Sequence, residues 1–277
     1  MAPTSVTTSI QLYTVRDLVE SDLDATMDRL AGAGFQAVEP FDFIRLAEAL
    51  RAALDRTGLR APTGHGSLVA AGTTLHLPGG QEWLLPEREA VFEAAANLGM
   101  ATVIDPMVAP ESWSSPDAIA RTADALNEAS TEADAYGLRV GYHNHGFELA
   151  WRHDGRTGLE VLADHLDPGV VLEVDLYWAT RGGADAPALV DALADRVVAL
   201  HVKDGTLDGT DGEDATGLPA AVTDQVVAGQ GVVPLAAALA AAPRLETAVI
   251  EFDAYDGDVL AASETSLRHL EELLAAL

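Results

Sequence analysis

One pattern, repeated eight times, restricts the folds open to this chain more than anything else in it. Short apolar or β-branched runs alternate with longer alanine- and leucine-rich stretches whose apolar residues recur at helical spacing. The runs fall at 5–13, 35–40, 58–66, 101–105, from Arg139 onward, 170–175, 196–203 and 247–251. The helical stretches cover 17–33, 43–56, 86–98, 116–136, 158–165 and 187–194, one starts near Pro234, and the last covers 259–277. Eight strand-helix units in 277 residues fit a single α/β (β/α)8 TIM barrel better than an open doubly wound sheet. No linker or shift in composition divides residues 1–277, so one domain is expected.

Composition narrows the function. The formal charge of -28 repels polyanions, which argues against nucleic-acid binding. No apolar window reaches the 18 residues or so that a membrane span needs. The opening Met-Ala-Pro-Thr-Ser lacks the basic and apolar regions of a signal peptide, and a cytoplasmic location is expected. Without cysteine, any metal must be held by oxygen and imidazole, which points to Mn, Mg, Co or Zn. Of 16 basic side chains a single one, Lys203, is lysine.

Chemistry gathers where the later strands end. In the run from Arg139 to Glu148, His143 and His145 share one face, since side chains alternate along a strand, and Glu148 lies just beyond. Val-Val-Leu-Glu-Val-Asp ends at Asp175, Val-Val-Ala-Leu-His at His201, and Ala-Val-Ile-Glu at Glu251. A charged or imidazole group that closes a buried run is costly unless it is paired, hydrogen-bonded or metal-bound. Four consecutive strands ending this way point to a shared site.

Tyr142-His143-Asn144-His145-Gly146-Phe147-Glu148, Glu173-Val174-Asp175-Leu176-Tyr177-Trp178, His201-Val202-Lys203-Asp204, Gly229-Gln230-Gly231 and Ile250-Glu251 resemble the sugar isomerase and epimerase superfamily of xylose-isomerase-like barrels, which includes inosose dehydratases and endonuclease IV. The resemblance spans the chain in order. It implies one divalent metal, manganese before Mg, Co or Zn, held by Glu, Asp, His and Glu on the last four strands. Asp175, His201 and Glu251 match the later three. Where relatives place the first glutamate this chain has His143, with Glu148 nearby, and either could be the ligand.

The resemblance further implies proton transfer beside the carbonyl of a small, unphosphorylated keto-sugar or polyol. His145 is the first choice of base and Glu148 the second. Lys203 would face them as electrophile or proton donor, held by Asp204 or by a ligand carboxylate. His65, Glu39 and Gln11 are expected to meet substrate hydroxyls, and Tyr177 with Trp178 to wall the sugar ring. Gly229-Gln230-Gly231 lacks the third glycine of a dinucleotide fingerprint and should shape the approach to the seventh helix. The same proton abstraction could serve a lyase of the inosose dehydratase or 3-keto-glycoside eliminase type. A barrel that only binds sugar is the third reading. Homo-oligomers are compatible with all three.

Overall fold

In a computed structural model, which describes residues 6–76, 82–208 and 224–277, each apolar run supplies one strand of a parallel sheet. The strands are β1 (Thr7–Gln11), β2 (Ala37–Glu39), β3 (Thr63–His65), β4 (Thr102–Asp105), β5 (Arg139–His143), β6 (Val171–Asp175), β7 (Val197–His201) and β8 (Thr247–Ile250). Their order is β2-β1-β8-β7-β6-β5-β4-β3, so the first strand pairs with the last. Between β2 and β3 the ring is drawn together by a bridge from Ala37 to Arg60. Hydrogen bonds from Val38 N to Arg60 O and from His65 N to Pro40 O, 2.9 Å each, add to it. The result is the (β/α)8 barrel that the alternation predicts.

The main helices are α1 (Leu23–Ala33), α2 (Phe43–Thr57), α3 (Arg88–Leu98), α4 (Pro116–Ala133), α5 (Gly158–His165), α6 (Ala186–Ala192), α7 (Leu235–Ala240) and α8 (Val259–Ala275). Each lays an apolar stripe on the barrel. In α4 the stripe is Ile119, Ala123, Leu126, Ala129 and Ala133, spaced by three or four residues. Ser115 caps that helix, accepting from Ala118 N at 3.2 Å. None of the described helices is long and apolar enough to cross a membrane.

Two helices depart from the sequence pattern, both because of an aspartate. The stretch 17–33 is not one helix: Asp22 accepts from Ala25 N at 3.0 Å and starts α1 afresh after a separate turn at Arg16–Ser21. Directly after β6, Asp175 caps an unanticipated helix, Leu176–Arg181, by accepting from Trp178 N at 2.8 Å. The acidic, glycine-rich stretch from Asp204 to Gly217 begins with Asp204–Gly205 paired antiparallel to Gln225–Val226. Its later part, and Pro78-Gly79-Gly80, which reads in the sequence as part of a loop ahead of α3, lie outside the described residues.

Strand-end carboxylates also tie loops to the barrel. At the end of β4, Asp105 accepts from Leu68 N and Val69 N, each at 2.8 Å, and from Met107 N at 3.1 Å. Asp204 gathers four backbone donors: Gly205 N, Gly229 N and Gly231 N at 2.9 Å, and Val233 N at 3.0 Å. This explains Gly229-Gln230-Gly231. Gly229 sits at φ +87°, where side chains are strained, and a Cβ on Gly231 would come within 2.2 Å of the Asp204 carboxylate. The loop is therefore wrapped around a buried anion. Asp204→Ala should lose roughly 2–4 kcal/mol of stability, because several enclosed N–H groups lose a charged acceptor together. Urea denaturation measures this; a loss below about 0.5 kcal/mol would show that the loop holds itself.

Candidate metal centre

Sheet register places the polar strand ends side by side. His143 on β5 is paired with Glu173 on β6, Asp175 on β6 with His201 on β7, and Gln11 on β1 with Glu39 on β2. Alternation puts Glu173 and Asp175 on the same face of β6. Beneath this polar floor the same faces carry small residues, Ala37, Gly141 and Ala199, which leave room for long side chains above them. Glu39, His143, Glu173, Asp175, His201, Lys203 and Glu251 are all buried, none more than 6% exposed.

The cluster has two levels that share His143 and His201. On the inner level Glu173 Oε2 meets His65 Nε2 at 2.7 Å, His143 Nδ1 at 3.0 Å and His201 Nε2 at 3.1 Å. Glu39 Oε1 lies 2.8 Å from His201 Nε2 and 3.2 Å from His65 Nε2, and it accepts from Gln11 Nε2 at 2.8 Å. Thr63 donates to the other Glu39 oxygen. On the outer level the opposite nitrogens, His143 Nε2 and His201 Nδ1, lie 3.9 and 3.8 Å from Asp175 Oδ2. His201 Nδ1 is also 2.6 Å from Glu251 Oε2.

Lys203 neutralises the outer level. Its Nζ lies 2.8 Å from Glu251 Oε2 and 3.0 Å from both Asp253 oxygens. It also comes within 3.0 Å of Asp175 Oδ2, though not in a direction that makes a hydrogen bond, so this buried oxygen has no donor. The expected lysine partner Asp204 is not used, because its oxygens are taken by the loop. Gln225 Nε2 fixes Asp253 at 2.6 Å.

The charge states follow from these contacts. Burial alone would strip His201 and His65 of their protons, but the surrounding carboxylates raise His201 well above the usual range and His65 to about 10. Burial and the neighbouring His201 push His143 far down, so that ring is neutral. Burial and Glu39 would raise Glu173, yet His201 and His143 pull it to about 2. For Asp175 burial outweighs the attraction of Lys203 and lifts it to about 6.

Asp175, His201 and Glu251 present donor atoms within 4.8 Å of one another, and so do His65, His143, Glu173 and His201. Metal bonds of about 2.0–2.2 Å place neighbouring donors roughly 3–4 Å apart, so small shifts would close either set on an ion. Asp175 Oδ2, ion-paired with Lys203 but without a hydrogen bond, fits this use, since a buried carboxylate oxygen left short of donors is costly. The cluster is able to chelate a divalent metal.

The remaining candidates lie around it. Glu148 belongs to neither donor set: a short helix, Phe147–Ala150, returns its carboxylate to Tyr142 Oη and His145 N, each at 2.8 Å. Burial lifts it to about 8. The His145 ring packs 5.2 Å from His143 and 5.8 Å from both Phe147 and Trp178, and its Nδ1 has no partner. Burial, followed by Lys203, pushes it to about 4. Tyr177 gives its hydroxyl to Asp224 at 2.7 Å, while Trp178 stays against His145.

Sequence reasoning missed two residues. Glu173 could have been found from its place two residues before Asp175 on the same strand face. Asp253 sits in a loop, and no local pattern marks it.

The barrel and the position of its cluster can be compared with known proteins. No curated protein matches the chain. A sugar phosphate isomerase/epimerase from Parabacteroides distasonis has the same fold with a TM-score of 0.72 at 18% identity, covering 98% of this chain and 95% of that one. The zinc-bound IOLI protein gives 0.66 at 16% identity, covering 98% and 99%. The probable 3-DHS dehydratase AsbF from Bacillus anthracis gives 0.69 at 13%, covering 96% and 99%. At such identities the likeness is one of fold. The family described as xylose isomerase-like TIM barrel matches residues 27–273, a span that contains all the barrel strands but the first and every donor of the cluster. The chain therefore belongs to the xylose isomerase-like TIM barrel family.

Proposed function

We propose that this protein is a divalent-metal-dependent isomerase or epimerase acting on a small, unphosphorylated keto-sugar or polyol by proton transfer next to a carbonyl. The observation that carries the reading is the convergence of Asp175, His201 and Glu251 at the carboxyl ends of three adjacent strands, with donor atoms inside 4.8 Å. That is where barrels of this kind keep their chemistry. The relatives named isomerase/epimerase support the same class.

His143, rather than Glu148, would complete the metal set, since His143 Nε2 already faces Asp175 while both Glu148 oxygens are engaged. Two carboxylates and two imidazoles suit Mn, Co or Zn better than Mg. When bound, the ion would polarise a substrate carbonyl and stabilise the anion left after proton removal. His145 offers a neutral ring with an unpartnered Nδ1 beside the cluster, as a base must. Glu148 holds the His145 backbone N–H and stands behind it as second choice. Lys203 keeps its proton at Nζ across the site, where its charge is shared among Asp175, Glu251 and Asp253 and balances the proposed ligands. Gln11 and Glu39 brace the floor, and Trp178 closes the side next to His145.

The absence of a phosphate from the proposed substrate rests on the cations. Lys203 is held by carboxylates, Arg181 pairs with Asp224 at 2.9 Å, and Arg16 donates to Tyr13 O at 2.8 Å. Two of the three charges are thus already met by carboxylates. A lyase is the second reading, favoured by the likeness to a probable dehydratase, because the same base and cation would serve an elimination.

Chelator treatment should abolish activity, and Mn, Co or Mg should restore it; activity that persists in fully demetallated protein overturns the mechanism. Asp175→Ala and Glu251→Ala should each weaken metal binding by at least about 100-fold with the fold intact, as read by elemental analysis and circular dichroism. Stoichiometric metal in both variants would place the site elsewhere. With a panel of keto-sugars in deuterated buffer, an isomerase or epimerase exchanges one carbon-bound hydrogen and otherwise conserves mass, whereas a lyase product is lighter by water or an aglycone. Lys203→Met should cost about 3–5 kcal/mol in urea denaturation, because it strips the counter-charge from buried carboxylates. A cost under 1 kcal/mol would mean that the carboxylates are neutralised by other groups.

A further inference from the structure

We propose that Glu173 is a positioning residue that fixes which nitrogen of His143 carries its proton, leaving the lone pair of the other toward the cation seat, and so sets the affinity of the site for a divalent ion. The inference rests on reading the cluster as a cation site. Glu173 is buried one pleat below Asp175, and its Oε2 collects three ring nitrogens: His65 Nε2 at 2.7 Å, His143 Nδ1 at 3.0 Å and His201 Nε2 at 3.1 Å. The other nitrogens of His143 and His201 lie 3.9 and 3.8 Å from Asp175 Oδ2.

A carboxylate only accepts, and a neutral imidazole has one N–H and one lone pair. In the neutral His143 ring the proton is therefore held on Nδ1, which faces Glu173, and the Nε2 lone pair is turned toward Asp175, where a cation needs it. Without the Glu173 charge, His143 could carry its proton on Nε2 and donate to Asp175, closing the seat with an internal hydrogen bond. Two further observations fit. Glu173 Oε1 is buried without any donor, an expense that a purely structural residue would avoid. His65 stacks on His201 at 5.4 Å and 8° and also reaches Glu39, so both acceptors of the inner level are braced from a third strand.

The test is Glu173→Gln in the full chain, whose amide can donate to His143 Nδ1 and favour the opposite tautomer. In metal-stripped protein at neutral pH, long-range ¹H–¹⁵N correlations of His143, assigned with a His143→Gln variant, should change from the Nδ1–H pattern to the Nε2–H pattern. Titration with Mn²⁺ should still reach one ion per chain, with Kd weakened about 10- to 100-fold. An unchanged tautomer, or an unchanged Kd, overturns the proposal. So does loss of all saturable binding, which would make Glu173 a ligand itself within the His65, His143, Glu173 and His201 set. If the wild-type chain binds no ion, the metal reading fails and the affinity claim falls with it, while the tautomer measurement still decides where Glu173 puts the proton. Should Glu173→Gln not fold, Glu173→Asp, which keeps the charge but withdraws it by one methylene, is read by the same two measurements.

Discussion

Carboxylates buried at the mouth of the barrel must be neutralised without water, and the rest of the site follows from how that is done. Glu39, Glu173, Asp175 and Glu251 are all enclosed, and Asp253 adds a fifth carboxylate through Lys203. A buried charge costs several kcal/mol unless it is met at close range. Lys203 and the rings of His65 and His201 meet part of the demand. Even with both rings protonated the carboxylates outnumber the cations, a deficit that a divalent ion would reduce. Ligand imidazoles must be neutral, so uptake of an ion would exchange ring protons for metal charge and couple the two equilibria.

What satisfies a carboxylate distinguishes a scaffold from a site. Asp105 and Asp204 also close buried strands or follow them, yet their oxygens are filled by backbone N–H groups. Such bonds fix loops and leave nothing for a ligand. Asp175 divides its two oxygens between the tasks. Oδ1 caps the helix that follows, which holds the carboxylate still, and Oδ2 is left toward Lys203, His143 and His201. The cap supplies the rigidity that a cation site needs.

This division explains what could be read from the sequence. The barrel was legible because strand and helix periods alternate eight times, and Asp175, His201 and Glu251 because each ends an apolar run. Glu173 lies inside such a run, and its pairing with His143 depends on the register of two strands about thirty residues apart, which neither strand encodes alone. Asp253 matters only because Lys203 reaches it across fifty residues of chain. Glu148, five residues after His143, looks like a second donor on one strand end. A single helical turn sends it back to Tyr142 and His145 instead, a change of direction that spacing does not carry. The break at Asp22 was hidden for a similar reason: a capping aspartate and a mid-helix aspartate have the same composition around them.

The family resemblance implies a glutamate ligand on the fifth strand, where we propose His143. An imidazole in that position would remove one negative charge from beside a bound ion, leave the ion a stronger Lewis acid and shift preference from Mg toward Mn, Co or Zn. It also introduces a ligand with two possible protonation sites, where a carboxylate has none to choose between. Glu173 answers both effects from behind the ring: its charge reaches the seat through His143, and its lone pairs claim the inner N–H. On this reading the histidine and the glutamate form one functional unit, with the negative charge moved one step back from the metal instead of being lost.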